Sequence, residues 1–328
     1  MKVKVLPFQP HSLAFGGFER QMLDAMSAAK SVGVEISPLD VWSKKSDFDI
    51  LHLWGLGENH ITSVNYAKAA GKKITMTALL PYLTYNLTLR KAFNNFFRIK
   101  SSISYLLSKI DILVVVNEEQ AITASKFYGL KRSKIKIIPN IVSDIFFEED
   151  YSGNNQEFKD YVICVGTICS RKNQMMLAKA SLELNSPILF VGPGMPGEEA
   201  YVSNFGKYIN NYSNLKWIDG IEPDSKEIIA AYKNSIGFAL PSYNETQPIA
   251  ALEAAAMSKP LLLANLSWAK QDLYKNSYLV DPKSIDSIKN GLKKMTNNMI
   301  NAPLKPLVCN AKDVGSEYKN VYKLLCND

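Results

Sequence analysis

The sequence contains few of the residues that build metal sites and disulfide frameworks. Its four cysteines are widely spread, and three histidines occur among 328 residues. No Cys-x-x-Cys pair is present, so we expect neither a zinc site nor a disulfide scaffold. Long apolar runs are also missing: the N-terminus lacks the apolar stretch of a signal peptide, and the longest run falls far short of the roughly 18 residues of a membrane span. We therefore expect a cytoplasmic protein.

An excess of basic residues is the main charge signal. Lysine and arginine number 38 against 31 aspartates and glutamates, which gives a net charge of +7. Such a charge favours anionic partners, whether phosphates, nucleic acid or a lipid surface. No nucleic-acid-binding motif accompanies the charge, so we expect no nucleic-acid partner.

Short β-branched runs alternate with longer amphipathic segments, which is typical of parallel α/β layers. The length is about twice that of a usual domain, and an acidic, polar stretch over 143–160 interrupts the alternation as a linker would. We predict an α/β protein of two facing Rossmann-like domains, residues 1–145 and 156–302, with ligands beyond the carboxyl ends of the strands. A C-terminal helix over 312–325 can cross back and would add residues 312–328 to the first domain. Strands are predicted at 3–8, 49–54, 73–79, 111–117, 134–140, 161–166, 187–192, 214–220, 235–241, 259–265 and 277–281.

The segment 239–265 carries the most information about function. A strand ends at Pro241, a polar loop follows, and an almost wholly apolar helix begins near Pro248, where proline fits the first turn. Glu253 lies in the middle of this helix, and a carboxylate there is costly unless it is hydrogen-bonded. The two hydroxyls of a ribose could supply the donors.

Glu245 lies eight residues before Glu253, in the loop that precedes the helix. The amides at the helix start, from Gln247 to Ile249, can donate to sugar hydroxyls or phosphate. One carboxylate for ribose, the other for a transferred sugar and the amides between them would form a nucleotide-sugar cradle. The alternative interpretation is that Glu245 caps the helix and that Glu253 pairs with a buried lysine or arginine.

Glu245 and Glu253 form a Glu-x7-Glu pair, and the surrounding NETQPIAALEAAAMSKP resembles retaining GT-B glycosyltransferases, in particular glycosyltransferase family four (glycosyl transferases group 1). Thr-Gln-Pro stands where Gly-Phe-Gly is commoner in the family. The resemblance extends over nearly the whole chain, and its short pieces occur in the family's order and spacing. They are FGGFER (15–20), VVVNEEQAITASKFYGLKRSKIKIIPNIV (114–142), YVICVGTICSRKNQ (161–174), ILFVGPG (188–194) and WIDGI (217–221).

The resemblance implies the GT-B fold and a hexosyltransferase-type enzyme that retains the anomeric configuration. The donor would be a UDP- or GDP-sugar, and the acceptor a hydroxyl of a glycan or lipid-linked glycan in cell-surface polysaccharide synthesis. Retention would proceed by front-face attack, with the leaving phosphate helping to take the acceptor's proton. No bound metal and no other cofactor would be required.

The family's phosphate-binding lysine corresponds to Lys172. The family often has an arginine after the strand glycine, but here that position is Thr167, and Arg171 is the substitute that we predict. The paired glycines Gly16 and Gly17 let backbone amides approach an anion, and in the family this loop approaches the donor from the opposite domain. The resemblance assigns catalysis to Glu245 and Lys172, and donor binding to Gly16, Gly17, Thr167, Arg171, Lys172, Ile221, Glu245, Thr246, Gln247, Pro248, Ile249 and Glu253.

On the acceptor side, many relatives carry a histidine after the third main strand, where this chain has Thr77. His11 precedes the paired glycines, and we predict both residues on the acceptor side. His52 matches a common family histidine, although a core histidine would explain it equally well. The basic, aromatic segment 90–109 could lie on an anionic membrane; the alternative is an aromatic stripe that faces the core beneath a solvated basic face.

Other interpretations stay open. GPGMPG (192–197) follows a strand and matches the dinucleotide fingerprint of dehydrogenases, although it lies on the second strand of its domain and contains two prolines. Asp-Phe-Asp at 47–49 resembles the metal-binding motif of the other glycosyltransferase fold, yet it fits a solvated strand entrance better. A sugar-nucleotide epimerase shares the GT-B architecture, and a degenerate nucleotide-sugar-binding subunit would explain Thr77 and Thr167.

Overall fold

The computed structural model describes residues 1–13, 16–82, 102–148 and 160–327. The chain divides into two compact units, Met1–Ile141 with Val308–Asp328, and Val142–Leu307. Each unit is built on a six-stranded parallel sheet with helices packed on it. Across the described ranges, no helix combines the length and the apolar character that crossing a bilayer requires.

The sheet of the first unit has the strand order β2-β1-β3-β4-β5-β6. Its central strands β3, β4 and β5 are buried at nearly every position. Strands covered on both faces are apolar throughout, which is why the sequence predicted them. The strands are β1 (Lys2–Pro7), β2 (Glu35–Pro38), β3 (Ile50–Trp54), β4 (Lys73–Thr77), β5 (Ile112–Val115) and β6 (Ile135–Ile137), and the helices are α1 (Gly17–Ser31), α2 (His60–Ala69), α3 (Ser102–Lys109) and α4 (Glu118–Lys126), with α10 (Ala311–Asn327) from the C-terminus.

The C-terminal helix α10 packs against α1. Val314 and Tyr318 are buried in the same apolar cluster as Ala28 and Ala29 of α1. The two helices approach so closely that a Cβ on Gly315 would lie 2.3 Å from the carbonyl oxygen of Ala28. The expected return of the C-terminal helix to the first unit is therefore confirmed.

The sheet of the second unit has the strand order β12-β11-β10-β7-β8-β9. The order reverses between β7 and β10, because β8 and β9 continue on one side of β7 while β10 to β12 lie on the other. Open α/β sheets bind ligands at such a point, outside the carboxyl ends of the strands. The strands are β7 (Tyr161–Val165), β8 (Ile188–Val191), β9 (Leu215–Ile218), β10 (Ser235–Leu240), β11 (Leu261–Ala264) and β12 (Tyr278–Val280), and the helices are α5 (Gln174–Leu182), α6 (Glu199–Ile209), α7 (Lys226–Lys233), α8 (Ile249–Ala256) and α9 (Ile285–Thr296).

The edge strand β2 was not predicted. It has four residues, only one of them fully buried, and it ends in Pro38, so its apolar signal is short. Helix α1 ends at Ser31, and Gly33, two residues later, has a left-handed φ of +86°, which a residue without a Cβ adopts at little cost.

Of the predicted linker over 143–160, the structure describes residue 160 and the first part, residues 143–148. That part is packed into the second unit, since Phe146 is 1% exposed and its ring meets the ring of Tyr232 edge-on at a centroid distance of 5.8 Å. Residues 149–159 lie outside the described residues.

Candidate functional site

The loops that follow β7 and β10 meet at the carboxyl edge of the second sheet, where its strand order reverses. The loop after β7 carries Arg171 and Lys172 in a short 3-10 turn, and the loop after β10 carries Glu245. Three residues predicted from the sequence as donor ligands are thus brought together at the position where α/β sheets bind ligands.

Two cations contact the carboxylate of Glu245. Nη1 of Arg171 lies 2.8 Å from Oε1, and Nζ of Lys172 lies 3.7 Å from the same oxygen, which also accepts a hydrogen bond from Oγ of Ser242 at 3.1 Å. The Lys172 and Glu245 side chains are 13% and 11% exposed, whereas that of Arg171 is 45% exposed. The cluster has one positive charge in excess, and partly buried charges are screened little by salt. It therefore favours an anionic ligand.

Backbone contacts tie the two loops to each other. The carbonyl oxygen of Arg171 accepts a hydrogen bond from the amide of Tyr243 at 2.9 Å, and Oγ of Ser242 lies 3.1 Å from the same oxygen. The guanidinium of Arg171 donates in return to the carbonyl oxygen of Asn244. The cations after β7 are thus held in register with the carboxylate after β10.

Asn173 is a positioning residue that the sequence did not reveal. It follows Lys172 directly, is 4% exposed, and has a left-handed backbone with φ 63°, a conformation that asparagine tolerates better than most residues. Its Nδ2 donates to the carbonyl oxygens of Pro241 at 3.1 Å and Pro282 at 2.7 Å. One amide therefore joins the loops that follow β7, β10 and β12.

The glycine after β7 leaves room for the lysine side chain. Gly166 has a φ of +138°, and a Cβ there would lie 2.3 Å from Nζ of Lys172. The Lys172 ammonium therefore lies directly over the end of the strand, and a larger residue at 166 would displace it.

Glu253 lies on α8 and is partly buried. Its Oε2 accepts a hydrogen bond of 2.8 Å from the hydroxyl of Tyr232, a fully buried residue of α7. Burial, and then the charge of Glu253, raise the pKa of Tyr232 well above its usual value, so the phenol stays protonated and donates. The sequence assigned the hydrogen bonding of this carboxylate to a ligand; in the structure a tyrosine supplies one donor already.

In the loop before α8, the side chain of Gln247 is held by that of a second glutamine, Gln271. Gln247 is 3% exposed, and its Nε2 donates to Oε1 of Gln271 at 3.0 Å, while Nε2 of Gln271 donates to the carbonyl oxygen of Thr246 at 2.7 Å. Pro248 is the N-cap of α8 rather than its first residue. The helix therefore begins at Ile249, and its first amides have no acceptor within the helix.

The remaining predicted donor residues of the second unit lie at the same edge of the sheet. Thr167 follows β7, and its carbonyl oxygen accepts a hydrogen bond of 2.9 Å from Nε2 of Gln174. Ile221 follows β9 and is partly buried, directly after Gly220, whose φ is +94°. Thr167 thus lies in the loop after β7 and Ile221 in the loop after β9, the first and the last strand of the series β7-β8-β9.

The GPGMPG segment is explained by packing. A Cβ on Gly192 would lie 2.5 Å from the carbonyl oxygen of Gly166, and a Cβ on Gly194 would lie 2.7 Å from Val202. The segment follows β8, whereas the strand order reverses beside β7. The resemblance to a dehydrogenase fingerprint therefore has a structural explanation that needs no dinucleotide.

The paired glycines begin α1 in the first unit. The amide of Gly16 donates to Oε2 of Glu19 at 3.0 Å, and Nε2 of Gln9 donates to the other carboxylate oxygen at 3.1 Å. Gly17 is the first residue of the helix. One of the amides predicted to face an anion is thus occupied by a carboxylate of the chain itself.

Thr77 belongs to a buried polar network of the first unit. Its Oγ1 lies 2.9 Å from Nε2 of His52 and 3.3 Å from the hydroxyl of Tyr318, and Nδ1 of His52 lies 2.8 Å from the hydroxyl of Tyr322. Burial lowers the pKa of His52 to about 3, so this ring is neutral at pH 7. Of the two acceptor-side predictions, Thr77 is 2% exposed, and His11 lies partly exposed in the loop after β1.

Two other predicted segments also belong to the first unit. Most of the basic, aromatic segment 90–109 lies outside the described residues, which resume at Ser102 in α3. In the Asp-Phe-Asp sequence, Asp47 lies 3.6 Å from Nζ of Lys2, and Asp49 accepts a hydrogen bond of 2.7 Å from the amide of Lys2. These carboxylates lie at the entrance of β3, as predicted, and they contact the start of β1.

Comparisons with known proteins show which proteins this chain is similar to. A model of the family described as "Glycosyl transferases group 1" matches residues 146–306, which fall wholly within the second unit. The alpha-galactosylglucosyldiacylglycerol synthase of Streptococcus pneumoniae is 25% identical over 301 residues, which cover 84% of this chain and 75% of the relative.

Solved structures with little sequence identity share the fold over the whole chain. Sucrose-phosphate synthase from Thermosynechococcus elongatus superposes with a TM-score of 0.73 at 13% identity, and the Anabaena protein HepE in complex with UDP with a TM-score of 0.70 at 15% identity. Both matches cover all of each chain. The second unit is thus similar to the glycosyl transferases group 1 family, and the chain is a glycosyltransferase with the GT-B fold.

Proposed function

We propose that this enzyme transfers a hexosyl or related residue, with retention of configuration, from a UDP- or GDP-sugar to a hydroxyl of a glycan or lipid-linked glycan in cell-surface polysaccharide synthesis. The observation that carries the proposal is the contact of Arg171 and Lys172 with Glu245 where the strand order of the second sheet reverses. This cluster offers cations for a diphosphate beside a carboxylate for a sugar.

The donor diphosphate binds Lys172 and Arg171 and competes with Glu245 for them. Electrostatic stabilisation of the charge that develops on a leaving group is a large part of catalysis in such transfers. Once the cations turn to the diphosphate, the carboxylate of Glu245 can accept hydrogen bonds from hydroxyls of the transferred sugar. The two side chains supply this neutralisation themselves, so the proposal requires no metal ion.

In the transfer, the bond between the anomeric carbon and the phosphate oxygen breaks, and a bond from the acceptor oxygen to that carbon forms on the same face. The proton of the acceptor hydroxyl passes to the departing phosphate. Glu253 holds the ribose, and the first amides of α8 lie between the two carboxylates. The nucleoside diphosphate then leaves as the second product.

The relatives support the class of donor and acceptor. HepE binds UDP and, in another structure, UDP-glucose. The streptococcal relative is a synthase of a galactosylglucosyldiacylglycerol, and a lipopolysaccharide outer core galactosyltransferase shares the fold with a TM-score of 0.67. For an acceptor anchored in lipid, the proposal has the enzyme act at the inner face of the membrane.

The donor is tested by thermal unfolding with UDP-, GDP- and ADP-sugars. A ligand at 100 times its Kd adds about 2.7 kcal/mol to the free energy of unfolding, so one nucleotide class should raise the melting temperature. Lys172→Ala should abolish the shift, whereas Lys179→Ala, which removes an exposed lysine of the neighbouring helix α5, should preserve it. If no nucleotide sugar moves the transition, the proposal fails.

Retention is tested separately, by nuclear magnetic resonance of the first product formed with the donor identified in this way. The anomeric coupling of the transferred sugar should match that of the donor. An inverted product contradicts the retaining mechanism, and release of an epimerised nucleotide sugar without transfer would identify an epimerase. Donor binding without either reaction, for a panel of glycan and glycolipid acceptors, would identify a degenerate binding subunit.

A further inference from the structure

The first unit carries an exposed loop with apolar and basic side chains that the donor site does not use. After β2, Val41 and Trp42 are 66% and 91% exposed, and the exposed residues Lys44 and Lys45 follow. An indole in water leaves a large apolar area unburied, at a cost of about 25 cal/mol per Å². Tryptophan beside lysines is the composition that favours the interface of a membrane.

Residues 39–48 are here called the Trp42 loop. This loop follows the carboxyl end of β2 and lies next to β1. The amide of Leu39 donates to the carbonyl oxygen of Val5 in β1 at 2.8 Å. The loop after β1 leaves the same edge of the sheet and adds Phe8 and Leu13, which are 41% and 82% exposed. Exposed apolar residues thus recur on two neighbouring loops.

Acidic residues near the Trp42 loop are engaged by the chain itself. Asp40 accepts a hydrogen bond of 3.0 Å from the amide of Trp42, Asp47 lies 3.6 Å from Nζ of Lys2, and Asp49 lies 3.7 Å from the N-terminal ammonium. Within the loop, Asp47 is thus paired with a cation from outside it, which leaves the two lysines that follow Trp42 against the single carboxylate of Asp40.

The charge of the chain is concentrated in the unit that carries this loop. The first unit contains 22 lysines and arginines against 13 aspartates and glutamates, for a net charge of +9, and the second contains 16 against 18, for a net charge of −2. A charge asymmetry between the halves of a chain is typical of proteins that contact an anionic surface.

We propose that the Trp42 loop inserts into the headgroup region of an anionic bilayer, with the indole among the lipids and Lys44 and Lys45 at their phosphates. This contact holds the first unit at the surface in which a lipid-linked acceptor is anchored. The inference rests on the proposed function for that acceptor alone, because binding to a bilayer is measured without donor or transfer.

The tryptophans provide a direct readout. The sequence contains four: Trp54 and Trp268 are 4% and 1% exposed, Trp217 is partly buried, and Trp42 is almost wholly in water. Emission of the full-length protein is recorded with vesicles of phosphatidylcholine alone and with added phosphatidylglycerol, including lipids brominated on their acyl chains. We expect a blue shift and quenching by bromine on the anionic vesicles, and the loss of both in Trp42→Phe, which leaves the other three fluorophores.

Co-sedimentation with the same vesicles measures affinity. Each lysine near an anionic surface is worth about fivefold in binding, so Lys44→Ala with Lys45→Ala should weaken the partition by about 25-fold, and Trp42→Ser should weaken it further. The matched control replaces two exposed lysines of the second unit, Lys275 and Lys283, by alanine, and should sediment as the wild type does.

Three results would overturn the inference. Sedimentation without a change in Trp42 emission would assign membrane binding to another surface, and no sedimentation on anionic vesicles would remove it. A blue shift that grows with protein concentration in the absence of lipid would assign the loop to contact with a second copy of the chain. A nucleotide sugar that fails to raise the melting temperature would contradict the donor proposal and leave this inference standing.

Discussion

Replacing Glu253 by glutamine tests the ribose contact with little disturbance of the fold. The amide keeps an oxygen that can accept the hydrogen bond from Tyr232, which the carboxylate now receives at 2.8 Å, so the contact between α7 and α8 survives. The variant loses the negative charge. Hydrogen bonds to charged groups contribute about 1.5–3 kcal/mol, and about 1.4 kcal/mol is tenfold in affinity. We therefore expect nucleotide binding to weaken by about 10- to 100-fold.

Calorimetric titration of the preferred nucleoside diphosphate and its 2′-deoxy analogue separates the ribose contact from other effects. The wild-type enzyme should prefer the ribonucleotide, and Glu253→Gln should lose most of that preference while its affinity for the deoxynucleotide changes little. Tyr232→Phe, which keeps the ring and removes the donor to the carboxylate, should reduce the preference in part, because Glu253 is then less firmly oriented. Glu227→Gln, an exposed change on α7, is the control.

The result that refutes this reasoning is an equal loss of affinity for both nucleotides. It would show that Glu253 supports the local structure through Tyr232 rather than binding the pentose. An unchanged affinity in Glu253→Gln would show that the ribose lies elsewhere, even if Lys172 still binds the phosphates.

Two further predictions concern positioning and packing. Asn173→Asp cannot donate to the carbonyl oxygens of Pro241 and Pro282. Calorimetry should therefore show weaker binding of a nucleoside diphosphate but unchanged binding of the nucleoside. An equal loss of affinity for both ligands would contradict a role of Asn173 in placing Lys172. Gly315→Ala should lower the free energy of unfolding in urea by about 1–3 kcal/mol, because its Cβ would meet the backbone of α1. At an uncrowded helical site the same change stabilises by roughly 0.5–1 kcal/mol, so a gain in stability would contradict the close approach of the two helices.

The strands that could be predicted from the sequence are those that are buried along their length and therefore consist almost entirely of apolar residues. The segment Ile112–Val115 is buried at all four positions and forms an apolar run, whereas β2 buries one residue fully and has no such run. The spacing of apolar residues also predicted the C-terminal helix, but it did not show that Gly315 lets this helix approach α1. That contact joins residues far apart in sequence, and no local pattern records it.

The residues of the candidate site likewise include some that could be predicted from the sequence and others that could not. Lys172 and Glu245 could be predicted to meet, because each follows a strand and the ends of parallel strands share one edge of a sheet. Tyr232, Asn173 and Gln271 could not be predicted. Each acts through hydrogen bonds to residues that lie more than twenty positions away, and nothing in their immediate sequence distinguishes them from ordinary polar residues.

The distribution of charge explains how one chain can use two kinds of electrostatic attraction. The second unit has a net charge of −2, so a diphosphate is drawn to it by local arrangement rather than by overall charge. Two unit charges 4 Å apart interact by about 4 kcal/mol near a protein surface against about 1 kcal/mol in bulk water, and Lys172 is 13% exposed. Most of the lysines and arginines that the structure describes in the first unit are exposed, so salt screens their attraction. Such a field suits adsorption to a surface of many phosphates, whereas the half-buried cluster after β7 suits the recognition of one diphosphate.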